Sequence, residues 1–397
     1  MGVKDEVVIV SAVRTPIGRY GGSLKNINSG ELGAIVIKEA IKRAGLTPEQ
    51  IHEVILGEVR QTTESSNVAR VAALRAGLPE TTPGFTVNRL CASGMQAVAS
   101  GIQQILSGQG DIIVAGGTEN MSRAPIYLRN SRFGEGNPYL VDSHLENGQQ
   151  PIETYGSFMG MGITAENVAE TYKISREEQD IFAFASQQRA MAAINTHIFQ
   201  DEIIPVEVKE KKRTFLFQQD EYPRTDTSIE KLGKLRPAFK ENGVVTAGNS
   251  CGRNDGAAAL VIMKREKAKS LGLEPLAKIV DWATAGVSPE MMGMGPVPAV
   301  ERLLKRTNKI IQEIGLIELN EAFAAQSLAC IRELRLDIEK VNVNGGAIAL
   351  GHPVGATGAR IMTTLLYEMR RRNDQYGIAT LCVGGGQGMA VMLELLD

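Results

Sequence analysis

The chain has few aromatic side chains and almost no net charge. Of its 397 residues, 5% are aromatic, and the formal net charge is −2. Because no basic patch carries interleaved Tyr or Phe, the sequence argues against a nucleic-acid platform. A charge so close to zero also gives no general attraction to an anionic membrane surface. We therefore expect neither nucleic acid nor a membrane as a partner.

Long apolar runs and paired cysteines are also lacking. No apolar run approaches the roughly 20 residues of a membrane span. Residues 1–6 lead directly into an apolar strand at 7–10, which leaves no room for a signal peptide. The four cysteines, at positions 91, 251, 330 and 382, show neither close pairing nor C-x-x-C spacing. This pattern is typical of thiols used singly in a reducing cytoplasm.

The first part of the chain instead alternates short apolar strands with amphipathic helices. This alternation predicts an α/β fold with a largely parallel, doubly wound sheet. We expect Ser29 to cap the first helix and Thr47 to begin a capping box. The predicted strands are 7–10, 54–56, 85–87 and 112–114, and the predicted helices are 31–44, 67–76 and 93–106.

The second half repeats the order of the first. A small-residue turn at 355–358 leads into a predicted helix at 359–371, an apolar strand at 378–383 and a run of glycines, as the turn after Cys91 does. Such an internal repeat predicts two related halves. Between them, residues 121–163 and 209–242 are polar and irregular, which is typical of an inserted or functional segment. Helices at 165–172 and 177–194 lie between these stretches.

Cys91 lies between a short apolar strand and a predicted helix that begins at Ser93. A thiol at a helix N-terminus faces unpaired backbone N–H groups and the positive end of the helix dipole, and both favour the thiolate. The alternative is a small buried core residue. Local context leaves both interpretations open.

Three more polar residues stand beside strand ends or glycines. Asn320 follows a predicted strand at 314–319 and could simply cap the next helix. His352, between Gly351 and Pro353, could be structural. Cys382 ends an apolar strand and could be core, and the glycines at 384–388 lack the lysine of a Walker motif. In α/β folds, however, sites gather at the carboxyl ends of strands.

These four blocks resemble those of the thiolase family in order and nearly in spacing, and the similarity extends from Val10–Pro16 to Cys382–Gly388. The resemblance implies two similar α-β-α-β-α layered halves with an inserted loop domain. The N-terminal half would comprise residues 1–119 and 254–275, the loop domain 120–253, and the C-terminal half 276–397.

The resemblance also implies roles. Cys91 would be the nucleophile that takes the acyl group, His352 would activate it, and Cys382 would be the second acid/base. Asn320, through a water, and His352 would form one oxyanion hole, and the backbone N–H groups of Cys91 and Gly384 the other. The reaction would be reversible condensation of two acetyl-CoA molecules to acetoacetyl-CoA plus CoA, or thiolysis of a 3-ketoacyl-CoA.

Coenzyme A would be a substrate and product, with no permanently bound cofactor and no metal. By similarity, Arg224 would meet its nucleotide end, and Phe239 and Ala247 would flank the pantetheine arm. The resemblance further implies that Met161, Cys251 and Phe323 bind this substrate. The family further implies a homodimer or a homotetramer, because residues 121–163 have about the length that tetrameric relatives use for assembly.

Two positions depart from the family. Members commonly carry Ser where this chain has Cys251, and a thiol is a weaker hydrogen-bond partner than a hydroxyl. Members with short-chain activity often carry His where this chain has Gly160. Removing an imidazole widens that side of the pocket, which predicts tolerance for acyl groups longer or bulkier than acetyl.

Other classes fit less well. A ketoacyl synthase favours a second histidine over a cysteine such as Cys382 at the base position. A non-catalytic acyl-CoA binding or transfer protein would not need all four polar groups. A dinucleotide-binding oxidoreductase lacks support because no G-x-G-x-x-G follows the first strand.

Overall fold

The computed structural model describes residues 6–134, 136–146, 148–155, 159–211 and 213–396. Within these ranges the strands are β1 (Val7–Arg14), β2 (Gly18–Arg19), β3 (Glu53–Gly57), β4 (Gly84–Val87), β5 (Ile112–Asn120), β6 (Ile126–Arg129), β7 (Tyr139–Asp142), β8 (Val206–Glu210), β9 (Arg213–Phe217), β10 (Asn254–Lys264), β11 (Ala277–Gly286), β12 (Leu316–Leu319), β13 (Tyr376–Val383) and β14 (Gln387–Glu394).

The α-helices of the same ranges are α1 (Ser29–Arg43), α2 (Val68–Arg75), α3 (Ser93–Ser107), α4 (Ser143–Glu146), α5 (Ile152–Tyr155), α6 (Met161–Thr171), α7 (Arg176–Asn195), α8 (Ile229–Gly233), α9 (Arg265–Ser270), α10 (Pro296–Thr307), α11 (Ala324–Glu333), α12 (Ala347–Leu350) and α13 (Val354–Arg372). None of them combines the length and apolar character that crossing a bilayer requires.

The central sheet shows the predicted internal repeat. Its strands follow the order β12-β13-β14-β11-β1-β10-β5-β3-β4, with β2 beside β10. Read outward from the β1–β11 junction, each half has two antiparallel ladders followed by parallel pairing, with two parallel ladders in the N-terminal half and one in the C-terminal half. Within the sheet the halves are joined by the short β1–β11 ladder, which pairs Val8 with Lys278 and Ile9 with Ala277. The prediction of two similar halves is confirmed.

The prediction of a largely parallel sheet is wrong. Parallel ladders join only β3 to β4, β3 to β5 and β12 to β13, and the other ladders of this sheet are antiparallel. Strands β3 and β4 form a short strand–helix–strand unit with α2, whereas β12 and β13 are joined through α11, α12 and α13. By contrast, β14 follows β13 after three glycines, and so short a connection can only join antiparallel strands. Strand β10 returns antiparallel to β5 after the long insertion.

Helices cover the sheet in layers. The apolar faces of α3 and α13 pack against one another and against strands of both halves, in one buried cluster. On the outer faces, α1 and α2 cover the N-terminal half, and α10 and α11 cover the C-terminal half. The middle layer therefore brings together the N-termini of α3 and α13, the helices that follow Cys91 and His352 in the chain.

Two local predictions need correction. Asn28, not Ser29, caps α1, because its side chain accepts from the backbone N–H of Glu31, and Glu31 accepts in return from Asn28. The stretch 209–242 is not wholly irregular, since β8 and β9 form a hairpin whose Val208 and Phe217 are buried. The capping boxes at Thr47 and Ser175 are present as predicted.

Candidate active site

Cys91 projects from a tight turn between β4 and α3. Leu90 has φ +45°, a conformation that side-chain-bearing residues rarely adopt. Two hydrogen bonds of the Ser93 side chain stabilise this conformation of Leu90: the hydroxyl donates to the Leu90 carbonyl at 2.6 Å and accepts from the Arg89 N–H at 2.9 Å. The Leu90 N–H donates to the Asn88 side chain at 2.9 Å. The turn thus presents the thiol in a constrained conformation, as functional turns often do.

Two backbone N–H groups, those of Gly384 and of Cys91 itself, donate to the Cys91 thiol and lower its pKa. Burial acts in the opposite direction and is larger, so the pKa of Cys91 is raised. The prediction that the helix N-terminus favours a thiolate is therefore wrong for the free protein, because desolvation outweighs the local dipoles. A neutral thiol needs a base to take its proton.

His352 offers such a base. Its Nδ1 lies 2.7 Å from the hydroxyl of Thr357, and that hydroxyl donates to the Pro353 carbonyl at 2.9 Å. Because the only hydroxyl hydrogen of Thr357 is used in this bond, Nδ1 must donate and Nε2 must carry the lone pair. Nε2 is buried and has no hydrogen-bond partner within the structure. Burial, followed by the charge of Arg360, lowers the pKa of His352 to about 3, so the ring is neutral.

The backbone around His352 is held from both sides. The His352 N–H donates to the side chain of Asn254 at 2.9 Å, and the Asn254 amide donates to the Gly18 carbonyl at 3.0 Å. Gly351 has φ +106°, which favours glycine. These contacts attach the histidine, which belongs to the C-terminal half, to strands β10 and β2 in the N-terminal half.

Glycines let helices α3 and α13 touch. A Cβ at Gly94, in the first turn of α3, would lie 2.9 Å from the backbone nitrogen of Ala359 and 3.0 Å from the Gly355 carbonyl. A Cβ at Gly358 would overlap the backbone of Met95. Backbone-to-backbone contact of this kind leaves no room for side chains, so the first turns that follow Cys91 and His352 are locked together.

Cys382 lies at the end of β13 in an apolar cluster with Phe323, Ala322 and Met292. Burial raises its pKa well above the ordinary thiol value, and the next cause is the charge interaction with Cys91. The two sulfur-bearing side chains therefore interact electrostatically, although they are far apart in the chain.

Asn320 does not cap the following helix, since Phe323 occupies that position. The Asn320 backbone N–H donates to the Thr380 carbonyl at 3.0 Å. Its side chain is 1% exposed, and neither the amide nitrogen nor the oxygen has a hydrogen-bond partner within the structure. Buried amides are normally satisfied, so this one is available to a ligand or a bound water.

A row of side chains leads from the surface to the thiols. Arg224 is exposed and its guanidinium lies 5.9 Å from the centre of the Tyr222 ring. Tyr222 packs against Gly252 so closely that a Cβ there would overlap the ring. The neighbouring Cys251 donates its backbone N–H to the Ala322 carbonyl at 3.0 Å. Burial, and then the charge interaction with Cys91, raises the pKa of Cys251 to about 12.

A second, apolar row runs beside it. Phe239 packs over Gly162, where a Cβ would overlap the ring, and meets Phe323 edge to face at 6.1 Å between centroids. Met161 packs in the cluster that contains Phe323 and Cys382. Ala247 is exposed and follows Thr246, which pairs with Pro237 near Phe239. The structure thus places the six predicted CoA-binding residues along two rows that converge on the cysteines.

Sequence reasoning missed three residues at this site. Thr357 selects the histidine tautomer, and only the turn that contains it attracted attention. Gln149, in the inserted segment, lies with its side-chain amide against Gly384, where a Cβ would overlap it; no sequence signal indicated this. Glu119 is a buried carboxyl near the end of β5, and an acidic residue ending an apolar strand was a signal that could have been followed.

Comparison with known proteins decides the family. The model of the thiolase N-terminal domain matches residues 7–266, and that of the thiolase C-terminal domain matches residues 273–395. The chain belongs to the thiolase family. This thiolase is 51% identical to an acetyl-CoA acetyltransferase of Syntrophomonas wolfei, with 98% of this chain and 99% of that protein covered. It is 50% identical to a probable acetyl-CoA acyltransferase of Staphylococcus epidermidis over 98% of this chain and 99% of the relative.

Solved structures agree. The thiolase superposes on the crystal structure of the Bacillus anthracis acetyl-CoA acetyltransferase with a TM-score of 0.96 at 48% identity, covering 100% of both chains. It superposes on human mitochondrial 3-ketoacyl-CoA thiolase in complex with CoA with a TM-score of 0.94 at 43% identity, again over 100% of both chains. The thiolase fold, and with it an acyltransferase enzyme, is therefore shown. The domain boundaries and the individual site residues stay predictions.

Proposed function

We propose that this thiolase condenses two acetyl-CoA molecules to acetoacetyl-CoA plus CoA, or cleaves a 3-ketoacyl-CoA in the reverse direction, through an acyl group carried on Cys91. The observation that supports this most is that the backbone N–H of Gly384, two residues after the buried Cys382, donates to the thiol of Cys91. The thiol of Cys91 accepts the acyl group, and that of Cys382 removes a proton from the α-carbon or returns one to it.

In the first step the Cys91 sulfur attacks the thioester carbon. Because burial keeps the thiol neutral, Nε2 of His352 accepts its proton as the new C–S bond forms. The carbonyl oxygen becomes an oxyanion facing the N–H groups of Cys91 and Gly384. Losing one such donor typically costs about 3–4 kcal/mol of transition-state stabilisation. The CoA sulfur leaves when the tetrahedral intermediate collapses, and the proton held on His352 returns to it.

In the second step Nε2 of His352 takes the proton of the Cys382 thiol, and the resulting thiolate removes the α-proton of a second acetyl-CoA. The enolate oxygen is stabilised by the Nε2–H of the now protonated His352 and by a water held on the unpaired amide of Asn320. The enolate carbon then attacks the acyl group, the S–C bond to Cys91 breaks, and the Cys91 sulfur takes the proton from His352, so that the α-proton remains on Cys382 as the neutral thiol. In the reverse direction the neutral thiol of Cys382, kept protonated by burial, gives its proton to the leaving carbon.

Coenzyme A would lie along the two rows described above, with its nucleotide end at Arg224 and its pantetheine arm between Phe239 and Ala247. The relative solved in complex with CoA supports the substrate class. Met161, Phe323 and Cys251 would meet the arm near the reacting thioester. CoA enters and leaves in each cycle and is not a resident cofactor.

Gly160 supports acceptance of acyl groups larger than acetyl. It stands directly before α6, next to Met161 of the apolar cluster around Cys382, and it carries no side chain. The test compares kcat/KM for acetoacetyl-CoA and longer 3-ketoacyl-CoA substrates in the wild type and in Gly160→His. We expect the substitution to reduce activity on the longer substrates selectively. A strict preference of the wild type for acetoacetyl-CoA would contradict this.

Assembly through the inserted segment is supported by its surface. Large apolar side chains there are well exposed, among them Phe133 at 82% and Leu140 at 71%. A monomer rarely exposes so many together, so we propose a homotetramer built from two dimers, working in the cytoplasm. Sedimentation equilibrium that shows only dimers would overturn the tetramer.

Mass spectrometry tests the central proposal. The protein is mixed with acetyl-CoA, quenched in acid and digested, and the peptide that contains Cys91 is examined for the added mass of one acetyl group. We expect this adduct on Cys91, and none on Cys330, a buried thiol on helix α11 that serves as the internal control. An adduct on another residue, or none, would overturn the proposal.

A further inference from the structure

Glu119 is a fully buried carboxylate that joins the two halves beside the active site. One oxygen accepts the backbone N–H of Val59 at 2.9 Å and that of Gly355 at 2.9 Å. The other oxygen accepts the N–H of Arg60 at 2.9 Å. Glu119 lies in β5 and Val59 follows β3, both in the N-terminal half, whereas Gly355 belongs to the first turn of α13. A single side chain therefore links the loop after β3 to the helix that follows His352.

The contact with α13 is close and specific. A Cβ at Gly355 would lie 2.6 Å from the Glu119 carboxylate and 2.9 Å from the Cα of Glu58. Gly355 is three residues beyond His352, in the turn whose free N–H groups favour a negative charge. Glu119 also interacts electrostatically with Cys91, and its charge raises the pKa of that thiol. The carboxylate thus contacts the helix turn that follows His352 and influences the ionisation of Cys91.

A second buried acid, Glu58, lies near Glu119. Glu58 is 0% exposed, and burial, followed by the charge of Glu119, raises its pKa to about 8. Two adjacent carboxyls cannot easily ionise together. Burial raises the pKa of Glu119 as well, whereas its three backbone N–H donors lower it. Because these donors favour the charged form, we assign the negative charge to Glu119 and the proton to Glu58. The charged and titratable groups around Glu119 are then Glu58, Arg60 and Cys91.

We propose that Glu119 is a positioning residue for His352: by holding the first turn of α13 against the loop after β3, it keeps the imidazole aligned with Cys91. The proposal rests on the function proposed above, in which His352 takes the proton of that thiol. Glu119 itself touches neither substrate nor the reacting atoms.

Glu119→Gln tests this in the full-length enzyme. The amide keeps the shape but turns an N–H₂ towards at least one backbone donor, so α13 shifts. We expect the rate of Cys91 acetylation and kcat to fall by about 10- to 100-fold, since misplacement of a catalytic group by about 1 Å costs that much. KM for acyl-CoA should stay within a few-fold. The pH at which iodoacetamide alkylates Cys91 at half its maximal rate should move down, because a neighbouring negative charge is lost.

Two further variants separate positioning from a general loss of structure. Glu274→Gln, at an exposed carboxylate, should leave all four measurements unchanged. In a His352→Ala background, Glu119→Gln should lower the acetylation rate and kcat little further, because Glu119 acts through the imidazole. If Glu119→Gln keeps the wild-type acetylation rate and alkylation profile, or lowers activity equally with and without His352, the proposal is wrong.

Gly355→Ala perturbs the same contact from the other side. Its methyl group would press on the Glu119 carboxylate, and it should reproduce the loss in kcat even if Glu119→Gln does not fold. Failure of the wild type to acetylate Cys91 would instead refute the proposed function. Wild-type acetylation together with an unaffected Glu119→Gln would refute only the role of Glu119.

Discussion

Cys91 and Cys382 are both thiols near strand ends, but Cys91 is partly buried and Cys382 is fully buried, and their surroundings differ. Two backbone N–H groups donate to Cys91, one of them from Gly384 in the other half of the molecule. Cys382 sits among apolar side chains, and burial dominates its raised pKa. The first environment can stabilise negative charge on an oxygen bound next to the sulfur. The second environment favours the neutral thiol, which can donate its proton to the leaving carbon. In the function proposed above, the same chemical group serves as nucleophile in one place and as acid/base in the other.

The largest effect is expected for Cys91→Ser. A serine hydroxyl is far harder to deprotonate than a thiol, so we expect turnover to fall by about 10⁴-fold or more, as when other enzymes lose their nucleophile. Steady-state thiolysis and the acetyl adduct are measured together. Turnover above a tenth of the wild-type rate would show that Cys91 is not the nucleophile.

The next effect is expected for Cys382→Ser. Replacing the acid/base should slow the carbon–carbon step by about 10²- to 10⁴-fold, while acetylation of Cys91 proceeds nearly at the wild-type rate. Rapid-quench measurement of the adduct, together with exchange of the α-protons of acetyl-CoA with deuterium from solvent, separates the two steps. Equal loss of both steps would remove the distinction between the thiols.

Thr357→Val should have a smaller effect. Valine cannot accept from Nδ1 of His352, so the imidazole loses the contact that fixes its tautomer, and we expect kcat to fall by up to about 10²-fold. Thr363→Val is the matched control, because the Thr363 hydroxyl makes the same kind of bond to a carbonyl one turn back on α13 but contacts no histidine. If both variants lose activity equally, the effect is on the helix and not on the base.

The smallest effect is expected for Cys251→Ser. A hydroxyl is a better hydrogen-bond partner than a thiol, worth about 0.5–1.5 kcal/mol for a typical bond, so KM for CoA should fall a few-fold with kcat unchanged. Isothermal titration with CoA provides a second measurement. Cys330→Ser, at a buried thiol outside the two rows, should leave CoA affinity unaltered. A rise in KM with Cys251→Ser would mean that the thiol itself improves binding.

Much of this arrangement could be read from local pattern. The helix after Cys91, the strand that ends at Cys382 and the box at Ser175 depend on neighbours within a few residues, and each was predicted. The antiparallel course of β10 could not be, because its partner β5 ends more than a hundred residues earlier. The predicted direction of the pKa shift at Cys91 was wrong for a similar reason. The shift depends on burial by distant segments, whereas the sequence shows only the helix that begins next to Cys91.

The amino-acid sequence by itself determined the two-half α/β plan, the family and the four polar groups, because periodicity and short motifs record local conformation and chemistry. Only the tertiary structure decided which nitrogen of His352 is free, that the thiols of Cys91 and Cys382 both stay neutral, and which buried carboxylate joins the halves. These properties depend on hydrogen bonds and desolvation between residues that are remote in the chain, and such interactions exist only once the chain is folded.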